Sequence, residues 1–166
     1  RDRILTLNGV AKAFAMTGWR VGYAGGNREL IDAMRTVQGN ATSGVCTIAQ
    51  AAAAAALNGP LDTGEVMINT YSRRRLMVAD ALRNIPGMTC ATPPGAFYAY
   101  PGIAKCLGKT TKAGRFLSTD VDFALALLEE ANIATVPGAA FGLSPYLRLS
   151  CATSDETLKE ACDRIR

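Results

Sequence analysis

An α/β fold in two packed units is what this 166-residue sequence predicts, and three observations carry the expectation. Short β-rich runs alternate with stretches whose apolar residues recur at helical spacing, and most of the connections are short. Gly59-Pro60 separates an alanine-rich helix from an amphipathic one, so the patterning changes across it. With 49% hydrophobic residues, a chain this long buries roughly two thirds of its unfolded surface, enough for a real core.

The elements follow in order. Residues 3–8 and 19–24 (WRVGYA) read as two short strands around the loop NGVAKAFAMTG. Leu30, Ile31, Met34 and Val37 then fall at helical spacing, and Gly39-Asn40 reads as the stop. Residues 47–57 hold six consecutive alanines, which makes them helical by propensity and small enough to be fully buried. A long amphipathic helix over 63–84 places Met67, Tyr71, Val78, Leu82 and Ile85 on one side. Beyond it, 88–91, 95–100 and 146–152 read as strands and 121–131 as a helix. The stretch 102–117 reads as an exposed, mobile basic loop. Thr153-Ser154-Asp155-Glu156 has capping-box spacing ahead of a last helix bearing Leu158, Ala161, Cys162 and Ile165.

Composition narrows the function classes. A net charge of +4 without a polybasic tail gives no footprint for nucleic acid, and Arg73-Arg74-Arg75 reads as a solvated helix face. The five cysteines form no CxxC pair and there is no histidine, which excludes the usual zinc sites and Ser-His or Cys-His nucleophiles. The cysteines read as buried thiols of a reducing, cytoplasmic setting. The uncharged stretch between Arg35 and Asp62 is interrupted by polar residues and glycines and falls short of a membrane span. Gly108-Lys109-Thr110 lacks both the spacing and the context of a phosphate loop. Because the chain opens on Arg1 and runs at once into a strand, it reads as a piece of a longer protein.

Lys12 stands alone in charge between Arg3 and Arg20, among Val10, Ala11, Ala13 and Phe14. Two readings compete: a surface lysine that snorkels, or a buried amine whose lowered pKa lets it attack a carbonyl. Eight residues on, Gly18-Trp19-Arg20-Val21-Gly22 sets a guanidinium between glycines, where it suits a phosphate. An amine followed by such an arginine is the equipment for a phosphorylated aldehyde such as pyridoxal phosphate.

The segment LNGVAKAFAMTGWRVGYAGG resembles the cofactor-lysine segment of the aspartate aminotransferase family, the fold-type I pyridoxal-phosphate enzymes of classes I and II. The resemblance continues through PPGAFYAYP, VPGAAFG and YLRLSCATSDETLKEACDRI and covers nearly the whole chain. It implies that Lys12 forms the internal Schiff base, that Arg20 binds the cofactor phosphate, and that Arg148 forks onto the substrate's α-carboxylate. Without the family, Arg148 is one arginine of an alternating strand, suited to a surface salt bridge. At residue 11, where many members carry serine, this chain has alanine. Thr42 and Ser43 are weak candidates beside the cofactor, with helix capping the commoner job. Tyr98 and Phe141 would line either a substrate pocket or the core.

The resemblance further implies that residues 1–59 are the C-terminal part of the cofactor-binding large domain. Residues 60–166 would be the small C-terminal domain with its linking helix. The expected cofactor is pyridoxal 5′-phosphate, the partners an amino acid and a 2-oxo acid, the assembly a homodimer, with neither nucleic acid nor membrane as partner. The missing N-terminal half would complete the site, leaving the piece alone inactive. Two alternatives stand beside transamination: a lyase or decarboxylase on the same fold, and the aminotransferase-like effector domain of a transcription regulator.

Overall fold

A computed structural model describes residues 3–60 and 62–166; Arg1, on which the reading of the chain's start rests, lies outside them. The chain divides into two compact units, one reaching to Val66 and one from Met67 onward.

In the first unit, β1 (Thr6–Gly9) and β2 (Gly22–Gly25) form an antiparallel hairpin with Thr6 opposite Gly25 and Gly9 opposite Gly22. Helix α1 (Arg28–Thr42) starts at Asn27, whose side chain accepts from the Glu29 and Leu30 amides. It runs past the expected stop at Gly39-Asn40. The Asn40 side chain folds back to donate to Thr36 O at 2.8 Å, and the left-handed residue that ends a helix is Ser43 instead, at φ 61°. Helix α2 (Thr47–Asn58) buries only Ala49 and Ala53 completely. The expectation of full burial fails because a single stripe of this helix is covered among the described residues; Ile48 is 71% exposed.

The second unit carries most of the core. Helix α3 (Asp62–Arg83) leads in, and it is Val78, Ala79 and Leu82 of its C-terminal half that are buried, while Met67 and Tyr71 are only half-covered. Strands β3 (Tyr98–Ala99), β4 (Val136–Pro137) and β5 (Leu147–Ser150) form an antiparallel sheet in the order β3-β5-β4. β5 alternates as expected, with Leu147 and Leu149 inward. The strand expected over 88–91 shrinks to one bridge, Thr89 with Gly102, and that over 95–100 to two residues, since Ala96 takes a left-handed turn at φ 60°. Helices α4 (Asp120–Ala131) and α5 (Asp155–Ile165) add Phe123, Leu127, Leu158 and Cys162 to the core beside Leu82, Ile103, Leu147 and Cys151.

Three local expectations are corrected here. Residues 102–117 are not an open loop: Ile103, Cys106 and Leu117 are core, and Gly108 N and Leu117 N donate to Leu117 O and Lys109 O at 2.8 Å each, while the lysines and Phe116 stay outside. Arg73 and Arg74 are not simply solvated, because both pair with Asp155 in the first turn of α5. That helix is capped by Ser154, whose Oγ accepts from Thr157 N, rather than through a Thr153–Glu156 box. A capping box is formed instead by Thr119 and Asp122 at the start of α4. Among the described residues no helix is long and apolar enough to cross a membrane.

Candidate functional site

The connection between β1 and β2 is built by successive backbone turns. Val10, fully buried, donates its amide to Val21 O at 3.4 Å and so closes the loop at its base. Phe14 N then reaches Val10 O and Ala15 N reaches Lys12 O, which puts Lys12 on the outside of a tight turn. Lys12 is exposed in this chain, as the snorkelling reading has it. Of its apolar neighbours, Val10 is fully buried and Phe14 half-buried.

Residues 17–19 form one 3-10 turn, and Arg20 follows in the left-handed region at φ 56°, before β2 begins rather than within it. Ala15 has the same hand at φ 53°. A non-glycine residue there costs on the order of 1–3 kcal/mol, so the loop is held in shape at two points. The Arg20 Nη1 donates to Thr17 O at 2.9 Å, tying the guanidinium across the turn.

Arg20 lines an open cleft of about 640 Å³ with Trp19, Gln38, Thr42, Cys46 and Ile48. The N-terminus of α2 opens at this cleft, since Cys46 is its N-cap position. Amides of Ala49 and Ile48 hold the exposed Cys46 thiol below its ordinary pKa, as the N-terminal end of a helix does for a negative charge. Four cysteines are buried as expected, with Cys46 the exposed exception. Thr42 is the last residue of α1 and donates to Gln38 O, so it caps nothing, whereas Ser43 occupies the C-cap.

Arg148 stands in the second unit, at the centre of β5 opposite Val136. Its guanidinium carbon lies 4.6 Å from the Tyr98 ring centroid and 4.5 Å from that of Phe141. Among the described residues it makes no ion pair, so the salt-bridge reading is not what the structure shows. Tyr98 is half-buried and Phe141 is 49% exposed; neither is a core ring. The sequence offers no sign of this arrangement, because the two aromatics are 43 residues apart and come together only at Arg148. Lys12 and Arg20 thus share one loop of the first unit, and Arg148 belongs to the second.

Comparison with known proteins bears on this arrangement. The sequence pattern of the family described as aminotransferase class I and II matches residues 1–165. Over 165 residues the chain is 54% identical to an aspartate aminotransferase of Rhizobium meliloti and 53% identical to an aspartate/prephenate aminotransferase of Cereibacter sphaeroides, in each case over 99% of its own length. It spans only 40% and 41% of those two relatives. The crystal structure of the Rhizobium meliloti aspartate aminotransferase is similar with a TM-score of 0.95, covering 99% of this chain and 41% of that one. An aspartate aminotransferase structure from Thermotoga maritima, 38% identical, reaches a TM-score of 0.84, covering 99% of this chain and 39% of its own. With a family match across both units and an α/β backbone that follows solved members from end to end, the chain belongs to the class I and II aminotransferases.

Proposed function

We propose that the whole protein transfers an amino group between an amino acid and a 2-oxo acid with pyridoxal 5′-phosphate, and that this chain is its C-terminal piece. On this reading residues 1–59 belong to the cofactor-binding domain and 60–166 to the small domain, in a homodimer. The relatives' names make aspartate the first substrate to try. The observation that carries the proposal is the loop that presents Lys12 and, eight residues later, Arg20 beside the N-terminus of α2.

The donor set suits a phosphorylated aldehyde. Among the described residues Arg20 spends one donor on Thr17 O, and the first-turn amides of α2 add the partial positive charge that favours a phosphate. Lys12 offers an amine on an exposed turn of the same loop. When bound, pyridoxal phosphate supplies an electron sink for the bond broken at the substrate's Cα. Of the residues in this chain, Arg20 would hold the phosphate charge, Arg148 would take the α-carboxylate through paired N–H donors, and Lys12 Nζ would remove the Cα proton and later return a proton. A half-buried arginine with no carboxylate of its own is suited to that task.

The test is borohydride reduction of the full-length protein with pyridoxal phosphate, followed by peptide mapping. Label is expected on Lys12, and Lys12→Ala should lose both label and turnover of aspartate with 2-oxoglutarate. Transamination by Lys12→Ala at near wild-type rate would overturn the proposal.

A further inference from the structure

Arg148 is half-buried, yet among the described residues none of its N–H groups meets an acceptor oxygen and no carboxylate neutralises it. A guanidinium left in that condition is normally paired or exposed, because a partly desolvated charge without a partner is costly. What the structure supplies instead is two rings, Tyr98 at 4.6 Å and Phe141 at 4.5 Å. Cation–π attraction stabilises the charge without consuming an N–H donor on an acceptor oxygen. The donors therefore remain for an incoming anion.

Both rings are themselves fixed. Tyr98 sits in β3 opposite Ser150 and packs on Phe97 at 4.5 Å between centroids; Phe97 in turn meets Tyr71 of α3. Phe141 is carried by the turn after β4, where its edge meets Tyr100, which stacks on Tyr146. That turn is closed by Leu143 N donating to Gly138 O and by the buried carboxylate of Asp120, which accepts from Ala139 N at 2.9 Å and Ser144 Oγ at 2.7 Å.

We infer that Tyr98 and Phe141 are positioning residues that hold the Arg148 guanidinium, with its N–H donors uncommitted, for paired capture of a substrate carboxylate. The carboxylate as ligand rests on the proposed transamination. The positioning itself rests on the two ring distances.

The experiment uses the full-length protein with pyridoxal phosphate. Tyr98→Leu and Phe141→Leu should each raise the KM for L-aspartate about three- to tenfold with kcat changed less than about twofold, the range expected for one cation–π contact. Tyr98→Phe and Phe141→Tyr, which keep a ring, should restore KM to within about twofold of wild type. In an Arg148→Gln background the leucine substitutions should have no further effect on kcat/KM. Independently of turnover, phenylglyoxal should modify Arg148 about three- to tenfold faster in either leucine variant, as scored by peptide mapping. Unchanged KM in both leucine variants, additive effects on the Arg148→Gln background, or equal losses in leucine and ring-keeping variants would each overturn the inference. If wild-type protein fails to label at Lys12, the proposed function falls, and the phenylglyoxal comparison still decides whether the rings hold Arg148.

Discussion

Asp120 is only 2% exposed, and one of its oxygens, Oδ2, accepts from both the Ala139 amide and the Ser144 hydroxyl. Removing it in Asp120→Ala deletes two hydrogen bonds to a charged group, each worth about 1.5–3 kcal/mol, and leaves a backbone N–H and a hydroxyl without their partner. The expected cost to the local structure is therefore at least about 3 kcal/mol, which is more than a hundredfold in the opening equilibrium of the 138–146 turn. Asp120→Asn keeps an acceptor oxygen in the same place and should cost about 1–2 kcal/mol. Amide hydrogen exchange read by mass spectrometry on peptides spanning 136–147 measures this opening directly. Protection in that segment should fall by two orders of magnitude in the alanine variant and about tenfold in the asparagine variant, with α5 peptides changing far less. Exchange within threefold of wild type in Asp120→Ala would refute the argument that this carboxylate fastens the turn that carries Phe141.

Three further outcomes are expected. Gly138→Ala drives a Cβ into Leu143 O and places it 2.9 Å from Tyr146 O, both backbone atoms, so the turn must move and the protein should lose several degrees in Tm by differential scanning fluorimetry. Asp155, held at a pKa of about 2 first by its hydrogen bond with Arg73 and then by that with Arg74, has a folded-state value below the unfolded one near 3.9. Its contribution is then present above pH 4 and lost as pH falls toward 2, so Asp155→Asn should flatten the acid limb of a pH–stability curve in that window and change nothing in its slope at pH 6–8. In the 166-residue chain, a thiol reagent at neutral pH should label Cys46 first, because amides of Ala49 and Ile48 favour its thiolate. Cys90, Cys106, Cys151 and Cys162, raised mainly by burial, should react only on unfolding.

Much of the second unit was legible because its signals are local. The alternation of β5, the spacing of Val78 and Leu82 in α3, and the apolar run of α4 each follow from a single period. What was not legible depends on partners distant in sequence. Nothing near Ile103 or Leu117 says that a lysine-rich stretch has both ends in the core, and nothing near Arg73 says that Asp155, 82 residues away, will meet it. Caps were legible as a class but not by position: Ser154 and Thr153 are equally good candidates, and the extended backbone at Ser154 decides between them. The same holds for Arg148, whose strand was readable and whose ring partners were not.

Lys12 is the sharpest case, since its apolar company left a snorkelling surface lysine and a buried amine equally open, and the structure leaves it exposed. Val10 is the buried anchor of the loop, and the backbone folds over it in bonded turns, through Arg20, until β2 begins at Gly22. Two left-handed residues that are not glycine, Ala15 and Arg20, cost stability, yet they lie within a loop closed at its base by Val10 and Val21 and tied across by Arg20 and Thr17. The loop's shape is thus set inside the first unit, by its own hydrogen bonds. It follows that the loop's own hydrogen bonds already fix the backbone positions of Lys12 and Arg20, so a group that engages both side chains must match a geometry built into the first unit.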